Sequence, residues 1–256
     1  CIDCGRFPVK RIAGEELLVE ADVFADGHDE LSVFLLHRIE GCEHWSMTPM
    51  EHLGNDRWQA SFAVSDVGAY VYTITAWVDA FRTWRRKLLK LVEAEQDVSV
   101  DLLTGADLME RAAERASVSD AERLRGLACL VRAGMTPAEK VAILTDPATI
   151  ELVHRYPDRS EATTFAPELR VTVDRPRAGF SAWYELFPRS CSPEPGRHGT
   201  FADCEKWLPY IAGMGFDVLY LPPIHPVGVT ARKGRNNAVQ AEEGDPGTPW
   251  AIGSFE

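Results

Sequence analysis

DVGAYVYTITAWVDAFRTWRRKLLKLVEAE, residues 66 to 95, holds both structural languages of this chain in one run. Up to Val78 it is β-branched and aromatic, and from about residue 82 its apolar residues fall at helical spacing. The first half belongs with segments upstream that alternate with period 2. Leu17, Val19, Ala21 and Val23 alternate with polar residues such as Glu20 and Asp22, and Trp58, Ala60, Phe62 and Val64 are separated by residues such as Gln59 and Ser61. This is the pattern of half-buried strands. Turn signals at ADGHDE (25 to 30), GNDR (54 to 57) and SDVG (65 to 68) divide them.

That rhythm predicts an antiparallel β-sandwich over residues 1–81. Asp66 to Tyr70 resembles the tyrosine corner of immunoglobulin-like sandwiches, in which a Tyr hydroxyl bonds to nearby backbone. Trp45, Trp58, Trp77 and Trp84 could present a sugar-stacking face, but large aromatics in a small sandwich are more commonly core or interface residues, the reading preferred here. The second half opens a helical segment over 82–155, continued by ADLMERAAERA and DAERLRGLACLVRAG. Thr136-Pro137-Ala138-Glu139 is a capping box with Pro at the first turn, and Asp146-Pro147 starts another helix in the same way. Arg111, Glu114, Arg115, Glu122 and Arg123 read as solvated faces. Residues 156–179, polar and Pro-rich without a period at the start, are expected to be a linker.

Bulk properties limit the function. The 256 residues carry 39 acids against 27 Lys plus Arg, a formal net charge of -12. A surface built to hold nucleic acid or an anionic membrane would need the opposite balance. The sequence has no apolar run of spanning length and no basic-then-apolar leader, so no membrane partner and a cytoplasmic location are expected. Of six cysteines only Cys1 and Cys4 have a CxxC spacing, with nothing to complete a site, so no metal or cofactor is expected. The chain starts at Cys1 without an initiator Met and stops at GSFE, which suggests a segment of something longer.

After Gly179 the order becomes strand, helix, strand. FSAWYELFP (180 to 188) and FDVLYLPP (216 to 223) are apolar runs expected as buried strands, and Thr200 caps the helix between them. Pro209 predicts a bend or an early end in that helix. Beyond Ile224 lies a long Gly/Pro-rich loop containing RKGRNN, residues 232 to 237. No Asp or Glu occurs between Asp217 and Glu242, so Arg232, Lys233 and Arg235 create a local positive field in an acidic chain.

GFDVLYLPPIHP resembles the second-strand signature of amylase-type glycoside hydrolase and transferase barrels. VGVTARKGRNNAVQAEEGDPGTPWAIGS (227 to 254) resembles, more specifically, the maltosyltransferases that elongate α-1,4-glucan from maltose 1-phosphate. FSAWYELFPRS is similar to that family's first barrel strand, and DCGRFPVKRIAGE with the sandwich and helices to its N-terminal domain. The resemblance implies a multi-domain chain: an immunoglobulin-like β-sandwich with a helical segment, then residues 180–256 as the first βα units of a truncated (β/α)8 barrel. A complete barrel needs about 250 residues.

The implied reaction retains configuration. A carboxylate displaces phosphate from maltose 1-phosphate, and the 4-hydroxyl at the non-reducing end of a glucan then takes the maltosyl unit. The resemblance puts the nucleophile, the general acid and a third carboxylate on later strands, so no catalytic residue is assigned here and the segment alone is expected to be inactive and prone to associate. Glu185, inside the first strand, and Asp217, near the start of the second, read as structural. By resemblance Lys233 and Asn237 bond hydroxyls of the maltosyl unit, and Thr248 lies near the same subsite. An ammonium with three donors and an amide that donates and accepts suit sugar hydroxyls. Arg232 and Arg235 are expected to pair with loop acids such as Glu242 or Asp245, with Gly234 permitting a tight or left-handed backbone between them. Trp250 either stacks on a sugar or pins the loop, and His225 reads as a loop-fixing hydrogen-bonder. The family implies a homodimer. Two other readings stay open: an α-glucan hydrolase or branching enzyme of the same superfamily, and a non-catalytic module for glucan binding or dimerisation.

Overall fold

Gly68–Val78 is the hub of the sheet that organises the first part of the molecule. In chain order the strands before the first helix are β1 (Val9–Ile12), β2 (Glu15–Asp22), β3 (Leu31–Ile39), β4 (Ser46–Pro49), β5 (Glu51–Gly54), β6 (Arg57–Val64) and β7 (Gly68–Val78). A computed structural model describes residues 2–255, so Cys1 of the CxxC pair lies outside the described residues. The chain divides into two compact units, Cys1–Asp174 and Arg175–Glu256.

Five helices follow β7: α1 (Ala80–Glu93), α2 (Ser99–Arg115), α3 (Val118–Arg132), α4 (Pro137–Thr145) and α5 (Pro147–His154). The chain then returns to the sheet as β8 (Thr163–Thr164) and β9 (Leu169–Asp174). The stretch expected to be a linker therefore contains two strands. One sheet runs β1-β9-β7-β3-β4, with β8 also paired to β7, and the other runs β2-β6-β5. β9 is parallel to β1 and antiparallel to β7. The alternation of Leu169, Val171 and Val173 explains why it pairs, since Val171 and Val173 are buried among side chains of both sheets.

Leu17, Val19, Trp58, Phe62 and Val64 from the smaller sheet share one core with Val33, Leu35, Tyr70 and Tyr72 from the larger. The first unit is thus a mixed α/β domain, two sheets and several helices. The Tyr70 hydroxyl accepts the Asp66 backbone N–H at 3.0 Å, the bond that the corner motif predicts. Trp58 and Trp77 are buried, the latter stacked on Phe34 with the Arg159 guanidinium 4.8 Å from its ring centre. Trp45 is half-buried beneath Arg38.

A strand-to-helix hinge at Asp79 joins the two cores. Its buried carboxylate accepts the Arg82 N–H at 2.9 Å, capping α1, and the Ser32 hydroxyl at 2.7 Å, anchoring that cap to β3. Trp84 lies in the helical core with Leu88, Leu102, Met109, Leu124 and Leu144. Its indole N–H donates to the Asp101 carbonyl at 2.8 Å. Caps form at Thr136, with its reciprocal Glu139, and at Asp146, where the sequence places them.

The second unit holds β10 (Trp183–Glu185), α6 (Phe201–Glu205), α7 (Leu208–Gly213) and β11 (Val218–Tyr220), with β10 and β11 parallel. This is a right-sized βαβ crossover. The single helix predicted here is broken between Glu205 and Leu208, because Pro209 lacks the N–H that would continue the ladder and instead sits in the first turn of α7. The strands are less buried than their apolar runs predict: Trp183 is 59% exposed and Tyr220 40%, on a sheet of only two strands. No helix among the described residues is long and apolar enough to cross a membrane.

Two tests follow from the first unit. A Cβ at Gly105 of α2 would collide with the Trp84 ring and come within 3.1 Å of Leu144. Gly105→Ala gains about 1 kcal/mol of helix propensity but overpacks a closed core. A net loss of about 1–2 kcal/mol is expected from urea unfolding. His37, stacked on Phe62 at 4.2 Å with its Nδ1 unpartnered, is held below the ordinary histidine value of 6.5 by burial. His154 is lowered first by burial, with Asp79 opposing and Arg82 and Arg85 reinforcing. The unfolded chain then takes up protons first as pH falls, so stability held above pH 6.5 is lost below it. The urea midpoint should drop between about pH 7 and about pH 5.5, and His37→Leu should flatten that slope.

Candidate functional site

Both parallel strands of the second unit deliver their C-terminal ends to one cleft. Phe187, Pro188 and Arg189 follow β10, and Pro222, Pro223, Ile224 and His225 follow β11; all line a cleft of about 550 Å³. Its remaining wall comes from His198, Gly199, Thr200 and Phe201 ahead of and at the start of α6, and from Val227, Arg232, Pro246 and Pro249 in the long loop. The lining includes two arginines and two histidines and, among the described residues, no carboxylate. Most of the lining is apolar and its ionisable groups are basic, a combination that suits a small ligand with apolar faces and a negative charge.

Asp245 organises the loop that carries RKGRNN. Its carboxylate accepts the backbone N–H of Glu242 at 2.9 Å and of Arg235 at 3.3 Å. The Glu242 N–H, then that of Arg235, with the charges of Arg235 and Arg232, hold it below the usual carboxylate range. Gly234 donates its N–H to the Ala238 carbonyl at 2.9 Å, closing residues 234–238. Gly234 itself is extended, not left-handed; its role is steric, because a Cβ there would strike the Gln240 carbonyl. Within RKGRNN the left-handed residues are Asn236 (φ 53°) and Asn237 (φ 64°), a conformation that Asn tolerates better than most.

Each residue singled out from sequence has a definite place. Lys233 is half-buried, and its ammonium has no hydrogen-bond or ion-pair partner among the described residues. Asn237 is exposed at the end of a 3₁₀ turn, Arg235–Asn237, and Thr248 is half-buried with its carbonyl accepting the Ala251 N–H. These three do not line the cleft, although Arg232 and Pro249, their chain neighbours, do. Arg232 donates to the Pro246 carbonyl at 3.1 Å while its buried Nε has no partner. The expected ion pairs with Glu242 or Asp245 do not form among the described residues: the Arg232 guanidinium is taken by a carbonyl, and Arg235 reaches Asp245 through its backbone N–H and not its side chain.

His225 Nε2 lies 3.1 Å from the Ala251 carbonyl, and a Cβ on Gly253 would meet its ring. With the Val227 to Gly253 bridge this fastens the two ends of the loop. Trp250 is 57% exposed, edge-on to Phe187 at 5.6 Å, so it pins the loop and still leaves a ring face open. Glu185 is exposed on β10, and Asp217 accepts the Ala182 N–H at 3.0 Å and pairs with Arg177 at 3.6 Å, at the strand end away from the cleft. Sequence reasoning missed the part played by Arg189, which donates to the Gly247 carbonyl at 3.0 Å, and by His198 and Thr200. Their signal was available: they flank the C-terminal end of a parallel strand and the start of the crossover helix. No cluster of three or more His, Cys, Asp or Glu able to hold a metal occurs among the described residues.

If Asp245 is the organiser, Asp245→Ala should release residues 234–242. Trypsin should then cut after Lys233 and Arg235 several times faster than in the unaltered chain, with no change at Arg57; equal rates would remove Asp245 from that role.

Comparison with known proteins places the chain. Residues 1–175 match the family model for the N/S domain of α-1,4-glucan:maltose-1-phosphate maltosyltransferase. Proteins of that name align over the whole chain: 51% identical in Chlorobaculum tepidum, 45% in Methylacidiphilum infernorum and 42% in Pseudomonas aeruginosa. In each case this chain spans 38% of the relative's length. The match over the N/S domain and the identity across both units establish that the chain belongs to the α-1,4-glucan:maltose-1-phosphate maltosyltransferase family.

Proposed function

We propose that this chain is the N-terminal part of a retaining glycosyltransferase that moves maltosyl units from maltose 1-phosphate to the non-reducing end of α-1,4-glucans and releases phosphate. The observation that supports the reading is the cleft at the C-terminal ends of β10 and β11, lined by no carboxylate among the described residues and bordered by a loop whose Lys233 ammonium has no partner among them, in a chain of this family. A phosphorylated sugar needs cations for its phosphate and mixed donors and acceptors for its hydroxyls.

In this reading the second unit is the start of an amylase-type (β/α)8 barrel, and its cleft is the donor side of the active site. The first unit is an immunoglobulin-like sandwich carrying a helical segment, a domain division made at the β9 boundary. Lys233 and Asn237 bond maltosyl hydroxyls, Thr248 supports the same subsite, and Arg189 and Arg232 lend positive potential near the phosphate. The nucleophilic carboxylate, the general acid and the third carboxylate belong to the remainder of the relatives' length. A carboxylate attacks the anomeric carbon as phosphate leaves, and a glucan 4-hydroxyl then displaces it, so two inversions give retention. The 256 residues alone bind on one side only and turn nothing over. The complete protein works as a cytoplasmic homodimer in this reading.

Phosphate release from maltose 1-phosphate in the presence of glucan, measured on the complete protein, tests the reaction. An enzyme that hydrolyses or branches glucan and releases no phosphate sinks it. Lys233→Met removes a charged hydrogen bond and should lower kcat/KM for maltose 1-phosphate by about 10- to 100-fold. An unchanged kcat/KM would take Lys233 out of the donor site.

A further inference from the structure

Cys191 and Cys204 stand apart from the other described cysteines. Cys4, Cys42 and Cys129 are exposed, whereas Cys191 and Cys204 are buried with their sulfurs 3.3 Å apart. Spacing alone does not single out the pair, because 13 residues matches no redox or metal motif.

Their backbones are already held for a covalent link. The Gly199 N–H donates to the Arg189 carbonyl at 2.9 Å, and a Cβ on Gly199 would collide with the Pro188 carbonyl and the Ser192 and Cys191 amides. That close approach folds residues 192–199 back onto the turn containing Cys191. On the other side Thr200 and Asp203 form a capping box, and Arg197 reaches the Asp203 carboxylate at 3.2 Å, fixing the start of the helix that carries Cys204. A disulfide needs sulfurs about 2.05 Å apart, so closure asks for a movement of ~1.3 Å, within reach of small side-chain rotations. Burial, first, and the neighbouring Cys204 thiol push the Cys191 thiol up to about 11. Little thiolate is then present at neutral pH, so oxidation is slow, and burial of both sulfurs restricts the oxidant to a small one.

We propose that Cys191 and Cys204 form a reversible dithiol–disulfide site, oxidised by a small neutral peroxide, that locks two walls of the cleft together. One sulfur, as thiolate, attacks a peroxide oxygen; the O–O bond breaks, and the sulfur becomes a sulfenic acid. The second sulfur displaces that oxygen, forming the S–S bond, and the two thiol protons leave in water, so one hydrogen peroxide gives two waters. The bond ties the turn bearing Pro188 and Arg189 to the segment bearing Gly199, Thr200 and Phe201, all of which face the cleft. The inference stands on the fold of the second unit and does not depend on which ligand the cleft takes.

Trypsin separates the two cysteines cleanly, into peptides 190–197 and 198–206. The experiment uses the 256-residue chain with Cys1, Cys4, Cys42 and Cys129 replaced by Ser, treated with hydrogen peroxide and then alkylated under denaturing conditions. The expected product is the linked pair 190–197/198–206, released by dithiothreitol, and an apparent Tm raised by roughly 5–10 °C before reduction. A second variant, Cys204→Ala in the same background, should give no linked peptide and no shift in Tm. Recovery of both thiols in alkylated form, or oxidation of either sulfur to the sulfinic state without linkage, would overturn the proposal.

Discussion

The pairing of β9 between β1 and β7 is the constraint on which the first unit rests. Without it β1 loses the one strand partner it has among the described residues, and β7 loses the ladder beside Tyr70 and Tyr72. Val171 and Val173 are buried in the core shared by both sheets, so the strand contributes packing as well as backbone hydrogen bonds. A residue pair separated by some 160 positions, such as Val9 and Val171, is held side by side. The early strands are consequently unfinished until the chain has passed through all five helices, a long-range closure of the kind that slows folding.

The second unit solves a different problem, a long loop with few apolar side chains. Asp245 gathers two backbone N–H groups and the charge of two arginines, and Arg232 and Arg189 reach across to the Pro246 and Gly247 carbonyls. Positive side chains thus serve as internal struts while their charge still faces a cleft lined by no carboxylate among the described residues. Scaffolding and anion attraction are compatible uses of one guanidinium, because a donor spent on a carbonyl leaves the charge intact.

The switch from strand to helix near residue 80 was legible because two periods meet there, and so were the caps at Thr136 and Asp146. β9 was not: its three inward residues sit between Pro167 and Pro176 in a polar stretch, and the partner that stabilises it lies at the other end of the unit. Burial of the tryptophans followed from their size, and Trp58, Trp77 and Trp84 are indeed in cores or against sheet. The cleft was only half legible. The loop after β11 stood out by charge, but its opposite wall comes from residues 187–189 and 198–201, whose proximity depends on Gly199 packing against a backbone carbonyl. Lys233, Asn237 and Thr248 came from resemblance, and no spacing rule would have selected them over their neighbours.

Ala76 and Thr163 face each other across the β7–β8 ladder, so the chain leaves for α1 and returns after α5 at adjacent points. Topologically the five helices are an insertion into a hairpin. Loop closure depends only weakly on the length of what is inserted once its ends are fixed. Such a junction lets the helical part lengthen, shrink or be exchanged while every strand keeps its register, and makes it the natural place for relatives to differ in size.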